Sequence, residues 1–230
     1  MGCSTVLMVL HLFFNYSDMK PYWVKTRWFI KKLFPGFVWD MSAAQKTVYL
    51  TFDDGPIPEI TEWVLDLLKE HVIKATFFCI GDNIEKNPHI FQKLIDGGHT
   101  IGNHTFNHIN GWKTDGTAYY ENIEACRQAI TARTGNDSRL FRPPYGKIGR
   151  QQAKEVKRLG YKIIMWDVLS ADFDTTITPQ ECLENVTKNA TNGSVIIFHD
   201  SIKAFANLEY ALPGVIKYLK ENGFRFGTVS

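Results

Sequence analysis

From Lys46 to the carboxyl terminus, short apolar or β-branched runs alternate with amphipathic segments, and this alternation constrains the fold more than any other feature of the chain. It predicts a mostly parallel sheet, because parallel strands need long crossover connections, which helices usually supply. We expect one α/β domain over residues 46–230, without an internal linker. Its seven strands are expected at Thr47–Phe52, Ala75–Ile80, His99–Gly102, Arg139–Phe141, Tyr161–Trp166, Ser194–His199 and Phe224–Val229.

The segments between these strands show helical periodicity. In residues 58–73, one face is expected to carry Ile60, Val64, Leu67, Leu68 and Val72. A second helix is expected in residues 87–98, where two glycines follow the apolar pattern. Further helices are predicted over residues 117–133, 150–159, 179–189 and 208–222, the last of them started or kinked by Pro213.

A closed barrel and an open doubly wound sheet both place chemistry at the carboxyl ends of parallel strands. We favour a distorted (β/α) barrel with about seven parallel strands. Every segment rich in polar side chains follows a predicted strand, and no G-x-G-x-x-G turn follows the first strand. These side chains are therefore expected to converge on one rim of the barrel.

The net charge of the 230-residue chain is only +2, so no overall field favours nucleic acid as a partner. Its four cysteines lie far apart, without a C-x-x-C pair, which argues against a zinc ribbon or a dense disulfide framework. A reducing compartment is the simpler interpretation. We expect a cytoplasmic protein and a monomer.

Residues 1–45 form an amino-terminal extension. Its run "TVLMVLHLFF" is too short to span a bilayer, and no basic residues precede it. Whether residues 1–18 belong to the mature protein stays open, because Met19 is an alternative start. The following segment is either a helix that packs on the main domain or a membrane-surface segment with aromatic and basic side chains. We favour packing, because the apolar residues follow no clean helical face.

The stretch "TVYLTFDDGP" places Asp53 and Asp54 side by side after the first predicted strand. Neighbouring side chains of a regular strand point to opposite faces, so adjacent acids should not share a site. Two interpretations are open: a strand-ending turn with solvated acids, or a functional site in which Gly55 and Pro56 end the strand geometry.

After the third strand, "GNHTFNH" spaces His104 and His108 four residues apart, so both imidazoles can reach one point. This spacing is typical of metal ligands, although isolated pairs are often ordinary surface or core histidines. In "LFRPPYG", two prolines stiffen the backbone between Arg142 and Tyr145. Later strand ends contribute "WDVLSADFD" and "SVIIFHD", which contain several aspartates and His199.

This ordered set of motifs resembles the polysaccharide deacetylases of carbohydrate esterase family four, also called the NodB homology domain. The resemblance covers the chain from about Lys46 onward. The family's T-F-D-D-G-P motif occurs at Thr51–Pro56, its H-[ST]-x-x-H motif at His104–His108 and its third motif at Arg142–Gly146.

The resemblance implies a role for each site residue. The metal ligands would be Asp54, His104 and His108, with Asp53 as the general base. Arg142 would tether that base, the backbone N–H of Tyr145 would hold the oxyanion, and His199 would be the general acid with Asp172 as its partner carboxylate. Tyr145 and Phe173 would line the substrate groove.

The sequence departs from the family pattern at two positions. Leu169 occupies a position that is commonly acidic, and Phe173 replaces a tryptophan that lines the groove. These departures leave the metal ligands and the base unchanged, but they put the identity of the sugar in doubt, because groove walls select the substrate.

We therefore expect a metal-dependent hydrolase that removes N-acetyl groups from N-acetylglucosamine units of a chitin-like or peptidoglycan-like polymer or oligomer. Imidazole and carboxylate ligands favour zinc, with cobalt or nickel as alternatives. Two other functions are kept as hypotheses: hydrolysis of a small non-sugar amide or imide, and carbohydrate binding without catalysis.

Overall fold

The computed structural model of the protein describes residues 20, 22–42 and 44–230. The apolar run of residues 5–14 and the alternative start at Met19 lie outside the described residues. Within this part of the chain, none of the helices is long and apolar enough to cross a membrane.

The architecture is a distorted α/β barrel of parallel strands surrounded by helices, as the sequence predicts. The strands are Thr47–Asp53 (β1), Thr76–Cys79 (β2), Thr100–Asn103 (β3), Leu140–Phe141 (β4), Lys162–Ile163 (β5), Val168–Leu169 (β6), Val195–His199 (β7) and Arg225–Phe226 (β8). The helices are Trp28–Leu33 (α1), Ile60–Glu70 (α2), Gly81–Lys86 (α3), Pro88–Asp96 (α4), Gly116–Thr134 (α5), Arg150–Arg158 (α6), Pro179–Thr187 (α7) and Phe205–Glu221 (α8).

The sheet has the order β5-β4-β3-β2-β1-β7-β6, and the short β8 pairs with the first residues of β1. All seven predicted strands have a counterpart, but most are shorter than predicted. The sequence analysis missed β6, a strand of only two residues, Val168 and Leu169. Such a short element carries no periodicity, so only its pairing with β7 reveals it.

Local sequence explains where several helices begin and end. The side chain of Asp115 accepts a hydrogen bond from the backbone N–H of Thr117 at the start of α5, and Gly135 ends the helix with a φ of 66°. In α7, Thr178 and Glu181 form a capping box around Pro179.

One detail of the helix predictions was wrong, and for Pro213 the structure excludes one of the two expected roles, a helix start. Val72 is 86% exposed, because α2 ends at Glu70 and Val72 itself has a φ of 57°. Pro213 lies in the interior of α8 rather than at its start, since the helix begins at Phe205. The other expected side chains on α2 are buried or half-buried, and they pack against the sheet.

The described residues of the extension pack along both end strands of the sheet, beside β5 and β6. The backbone N–H of Val38 donates to the carbonyl of Ile163 at 2.8 Å, and that of Leu169 donates to Val24 at 2.8 Å. Residues 24–38 thus cover backbone groups that an exposed sheet edge would leave unpaired. Lys25 and Lys31 each bind Asp167 at 2.6 Å.

His99, at the amino-terminal end of β3, predicts an acid-sensitive contribution to stability. Its Nδ1 accepts a hydrogen bond from the backbone N–H of Ala75 at 3.2 Å, which requires an unprotonated nitrogen. Burial, with help from the charge of Lys74, lowers the pKa of His99 to about 4. The stabilisation is complete above the ordinary pKa of about 6.5 and is lost as the pH falls from there towards 4.

We expect His99→Gln, which stays neutral, to lose less unfolding free energy between pH 7.5 and pH 5 than the unchanged protein. Urea unfolding at both pH values measures this difference. His89→Gln is the matched control, because it removes an exposed histidine from the same region of the chain. Equal acid sensitivity in all three proteins would contradict the assignment.

Candidate active site

The candidate site lies at one rim of the barrel, where the carboxyl ends of β1, β3, β4 and β7 meet. Asp53 ends β1 and His199 ends β7, and the two residues are register partners on adjacent strands. His104 directly follows β3, and Arg142 directly follows β4. Because the strands are parallel, four distant parts of the sequence bring their side chains to one place.

The two adjacent acids have different partners. Asp53 still belongs to β1, and its Oδ1 accepts a hydrogen bond from Nη1 of Arg142 at 2.7 Å. Asp54 has a φ of 88°, which lies outside strand geometry. Its side chain therefore points in a different direction from the one that a regular strand would give it. Its Oδ1 lies 3.3 Å from Nε2 of His108 and 3.8 Å from Nε2 of His104. The backbone turn at Asp54 is therefore what separates the two carboxylates.

The two histidines occupy a tight loop rather than a helix, since Thr105 and His108 have φ values of 63° and 54°. Nδ1 of His104 lies 2.8 Å from the carbonyl oxygen of Arg142. A carbonyl only accepts hydrogen bonds, so this contact assigns the proton to Nδ1 and leaves Nε2 free towards Asp54. Burial, together with neighbouring His108, lowers the pKa of His104 to about 3.

Three side chains, those of Asp54, His104 and His108, place one potential ligand atom each within 4.8 Å of one another. Oδ1 of Asp54 is buried, yet it has no hydrogen-bond partner among the described residues. A buried carboxylate oxygen normally has a partner, so this orphaned oxygen requires one. Two neutral imidazoles and one carboxylate are a donor set that fits a divalent metal with open coordination positions.

Arg142 is fully buried and holds the rim together. Its guanidinium donates four hydrogen bonds: to Asp53 Oδ1, to Thr51 Oγ1 at 2.8 Å, to the carbonyl of Ile164 at 3.2 Å and to that of Met165 at 2.9 Å. Burial lowers the pKa of Arg142, and the charge of Asp53 opposes this effect. The base candidate is thus fixed by a charged group that the sheet itself holds in place.

His199 and Asp172 form a second pair on the rim. Nδ1 of His199 lies 2.7 Å from Oδ1 of Asp172, and the backbone N–H of His199 donates to Oδ2 at 2.7 Å. Burial alone would lower the pKa of His199, but the charge of Asp172 and its hydrogen bond raise it to about 9. The imidazole is therefore protonated at neutral pH and can act as an acid.

The other two aspartates of "WDVLSADFD" have structural partners. Asp167 binds Lys25 and Lys31, and Asp174 accepts a hydrogen bond from the hydroxyl of Tyr22. Both aspartates tie the extension to the domain. The family resemblance singles out Asp172 among the three aspartates, but it does not reveal the partners of the other two, because the extension that pairs with them lies more than a hundred residues away.

Tyr145 lies beside His108, and Phe173 lies beside His199. Tyr145 has a φ of 60° and a side chain that is 60% exposed, and its ring lies 4.6 Å from the ring of His108. The ring of Phe173 meets that of His199 edge-on at 5.2 Å. The two aromatic residues therefore line the opening above the polar groups.

Asp200 is a further residue of this rim that the sequence analysis missed. Its carboxyl is fully buried and accepts hydrogen bonds from the N–H of Gly55 at 3.1 Å and from the hydroxyl of Thr61 at 2.5 Å. A Cβ at Gly55 would lie 2.0 Å from Asp200, so this close approach needs glycine. Asp200 thereby holds the turn that aims Asp54. The available signal was a second acid directly after His199 at a strand end.

Known proteins resemble the chain in both sequence and structure. A model of the polysaccharide deacetylase family matches residues 40–164. A peptidoglycan-N-acetylglucosamine deacetylase of Bacillus cereus is 35% identical over 203 residues, which cover 87% of this chain and 95% of that protein. A chitooligosaccharide deacetylase of Azorhizobium caulinodans is 34% identical over 157 residues, covering 68% and 74%.

The fold agrees with these sequence matches. The crystal structure of the Bc1960 peptidoglycan N-acetylglucosamine deacetylase superposes with a TM-score of 0.82 at 33% identity, covering 89% of this chain and 95% of that one. With the motifs in sequence order and their side chains gathered on one rim, the chain belongs to the polysaccharide deacetylases of carbohydrate esterase family four.

Proposed function

We propose that this protein is a metal-dependent hydrolase that removes the acetyl group from N-acetylglucosamine units of a polysaccharide or oligosaccharide. One observation carries the proposal: the ligand atoms of Asp54, His104 and His108 converge within 4.8 Å, next to the paired acid and base candidates. The sugar class is supported by relatives named as peptidoglycan and chitooligosaccharide deacetylases.

Asp54, His104 and His108 would hold the metal, and zinc suits their imidazole and carboxylate donors. A metal bound there would supply polarisation of the amide carbonyl and a lower pKa for the attacking water. The protein prepares the ligands in advance, because the carbonyl of Arg142 fixes the tautomer of His104 and Asp200 fixes the turn at Asp54.

Asp53 is positioned to act as the general base. One of its oxygens is held by Arg142, while the other lies 3.7 Å from Nε2 of His104 and so faces the metal site. As water attacks the acetyl carbonyl carbon, this free oxygen takes the proton from the water. The backbone N–H of Tyr145, in a turn stiffened by two prolines, is assigned to the developing oxyanion.

His199 completes the reaction as the general acid. When the bond between the carbonyl carbon and the sugar nitrogen breaks, the nitrogen takes a proton from the imidazolium of His199. Asp172 keeps that imidazole protonated beforehand and oriented through its Nδ1. Acetate and the free amine of glucosamine are the products. Water supplies the atoms that are added across the amide bond, and Asp53 and His199 transfer the protons.

Substrate profiling tests the proposal directly. We expect the purified, metal-loaded protein to release acetate from N-acetylglucosamine oligomers and to leave cyclic imides intact. Imide hydrolysis without acetate release would support the alternative of a small-amide hydrolase. Binding of the oligomers with no acetate release under any metal would support a non-catalytic binding module.

The two adjacent acids give a sharper test of the mechanism. We expect Asp54→Asn to lose bound metal and turnover together, because a neutral amide is a weaker ligand. Asp53→Asn should keep the metal while turnover falls roughly 10²- to 10⁴-fold, the usual contribution of a general base. Elemental analysis and acetate release measure the two quantities.

Asp66→Asn serves as the control for these variants, since it makes the same chemical change on the exposed face of α2. It should retain both metal and rate. An Asp53→Asn protein that is metal-loaded and fully active would disprove the proposed role of Asp53.

The pair of His199 and Asp172 predicts the alkaline limit of activity. The acid must be protonated, so kcat/KM should fall as the pH rises through about 9, the pKa of His199. In Asp172→Asn the negative partner is gone and burial dominates, so the limit should move to lower pH by more than about two units. A pH profile of kcat/KM that is unchanged in this variant would contradict the pairing.

A further inference from the structure

A groove of about 240 Å³ lies between the extension and the rim of the candidate site. Five of its ten lining residues come from the extension and five from the domain. Its walls are mainly aromatic or apolar, and they include Tyr22, Trp23, Trp39, Tyr145, Trp166 and Leu169. No function has yet been assigned to this groove, which contains none of the proposed metal ligands or proton-transfer groups.

The groove and the candidate active site share Tyr145. Tyr145 lines the groove, and its ring lies 4.6 Å from the ring of His108. Tyr145 therefore places the groove next to the ligands of the proposed metal site.

The extension holds its side of the groove in a fixed position. The backbone N–H of Thr26 donates to the carbonyl of Asp167 at 2.8 Å, and its hydroxyl donates to the carbonyl of Trp166 at 2.8 Å. The backbone N–H of Leu169 donates to Val24. The wall is thus formed before a ligand arrives, which lowers the entropic cost of binding.

Both positions at which the sequence departs from its family pattern contact the extension. Leu169 lines the groove together with Trp23, so an apolar side chain stands where an acid is common. The ring of Phe173 meets that of Tyr22 edge-on at 5.7 Å. The extension therefore supplies aromatic surface at the two positions where the domain departs from the family pattern.

The chemistry of the walls restricts the ligand. Among the described residues, those that line the groove carry no charged side chain, so nothing there favours an ionic ligand. The volume is below the roughly 300–1,000 Å³ of pockets that enclose drug-sized molecules, which suits a single ring. Aromatic faces bind the apolar C–H face of a sugar ring, while its hydroxyls stay towards water.

We propose that this groove is a subsite for the neutral sugar unit next to the one that is deacetylated. The proposal rests on the proposed function, because the sugar in the groove belongs to the same polymer as the reacting unit. The extension is then part of the substrate-binding surface, and Trp23, which is 55% exposed, is its accessible aromatic face.

The test compares a hexamer of N-acetylglucosamine with the single sugar. In Trp23→Ala we expect KM for the hexamer, and its dissociation constant by calorimetry, to rise about 2- to 10-fold, the range for one lost aromatic contact. The single sugar should show a smaller change, and Trp23→Phe should recover most of the hexamer affinity. Bound metal reports that the site itself is intact.

Trp28→Ala is the matched control, because Trp28 is a 68% exposed tryptophan of the same extension that does not line the groove. It should leave hexamer binding unchanged. Unaltered hexamer affinity in Trp23→Ala, or an equal loss in Trp28→Ala, would overturn the subsite while leaving the deacetylase function standing. A metal-loaded protein that neither binds nor deacetylates the hexamer would overturn the proposed function, and the subsite with it.

Discussion

The buried contact between Arg142 and Asp53 is the constraint on which the rest of the site depends. A charged guanidinium in the core is tolerated only when its donors are satisfied, and here four hydrogen bonds tie it to β1 and to the segment after β5. The backbone of the same residue orients His104. Removing one partner of such a buried pair typically costs about 3–5 kcal/mol, because the other charge is left uncompensated. One residue thus couples the stability of the barrel to the alignment of Asp53 and His104.

The rim also concentrates unusual backbone geometry. Of the non-glycine residues with positive φ, five lie in its loops: Asp54, Thr105, His108, Tyr145 and Ala171. Such conformations are unfavourable for side chains with a Cβ and persist only when surrounding contacts enforce them. At the first loop, the fully buried Asp200 enforces the conformation by accepting hydrogen bonds from Gly55 and Thr61. Rigid strands and over-determined turns together give the site its geometry before any substrate binds.

The extension has two roles that follow from one set of contacts. Its backbone covers the edges beside β5 and β6, and its lysines pair with the buried carboxylate of Asp167. The same anchoring places Tyr22 and Trp23 beside the rim. Covering the sheet edges and lining the groove are therefore consequences of a single packing arrangement.

The sequence by itself determined the fold class, most helices and strands, and the residues that meet at the rim. Apolar periodicity and motif spacing are local properties that can be recognised in the sequence. Because parallel strands place functional side chains at their carboxyl ends, the order of strands and motifs then predicts which residues meet. The sequence could not identify β6, which exists only through pairing with β7, and it singled out Asp172 from Asp167 and Asp174 only through the resemblance to the family. Only the tertiary structure decided β6, the partners of Asp167 and Asp174, the role of Asp200 and the groove beside Trp23. Each depends on contacts between segments far apart in the chain, and such contacts leave no periodic signal in the sequence.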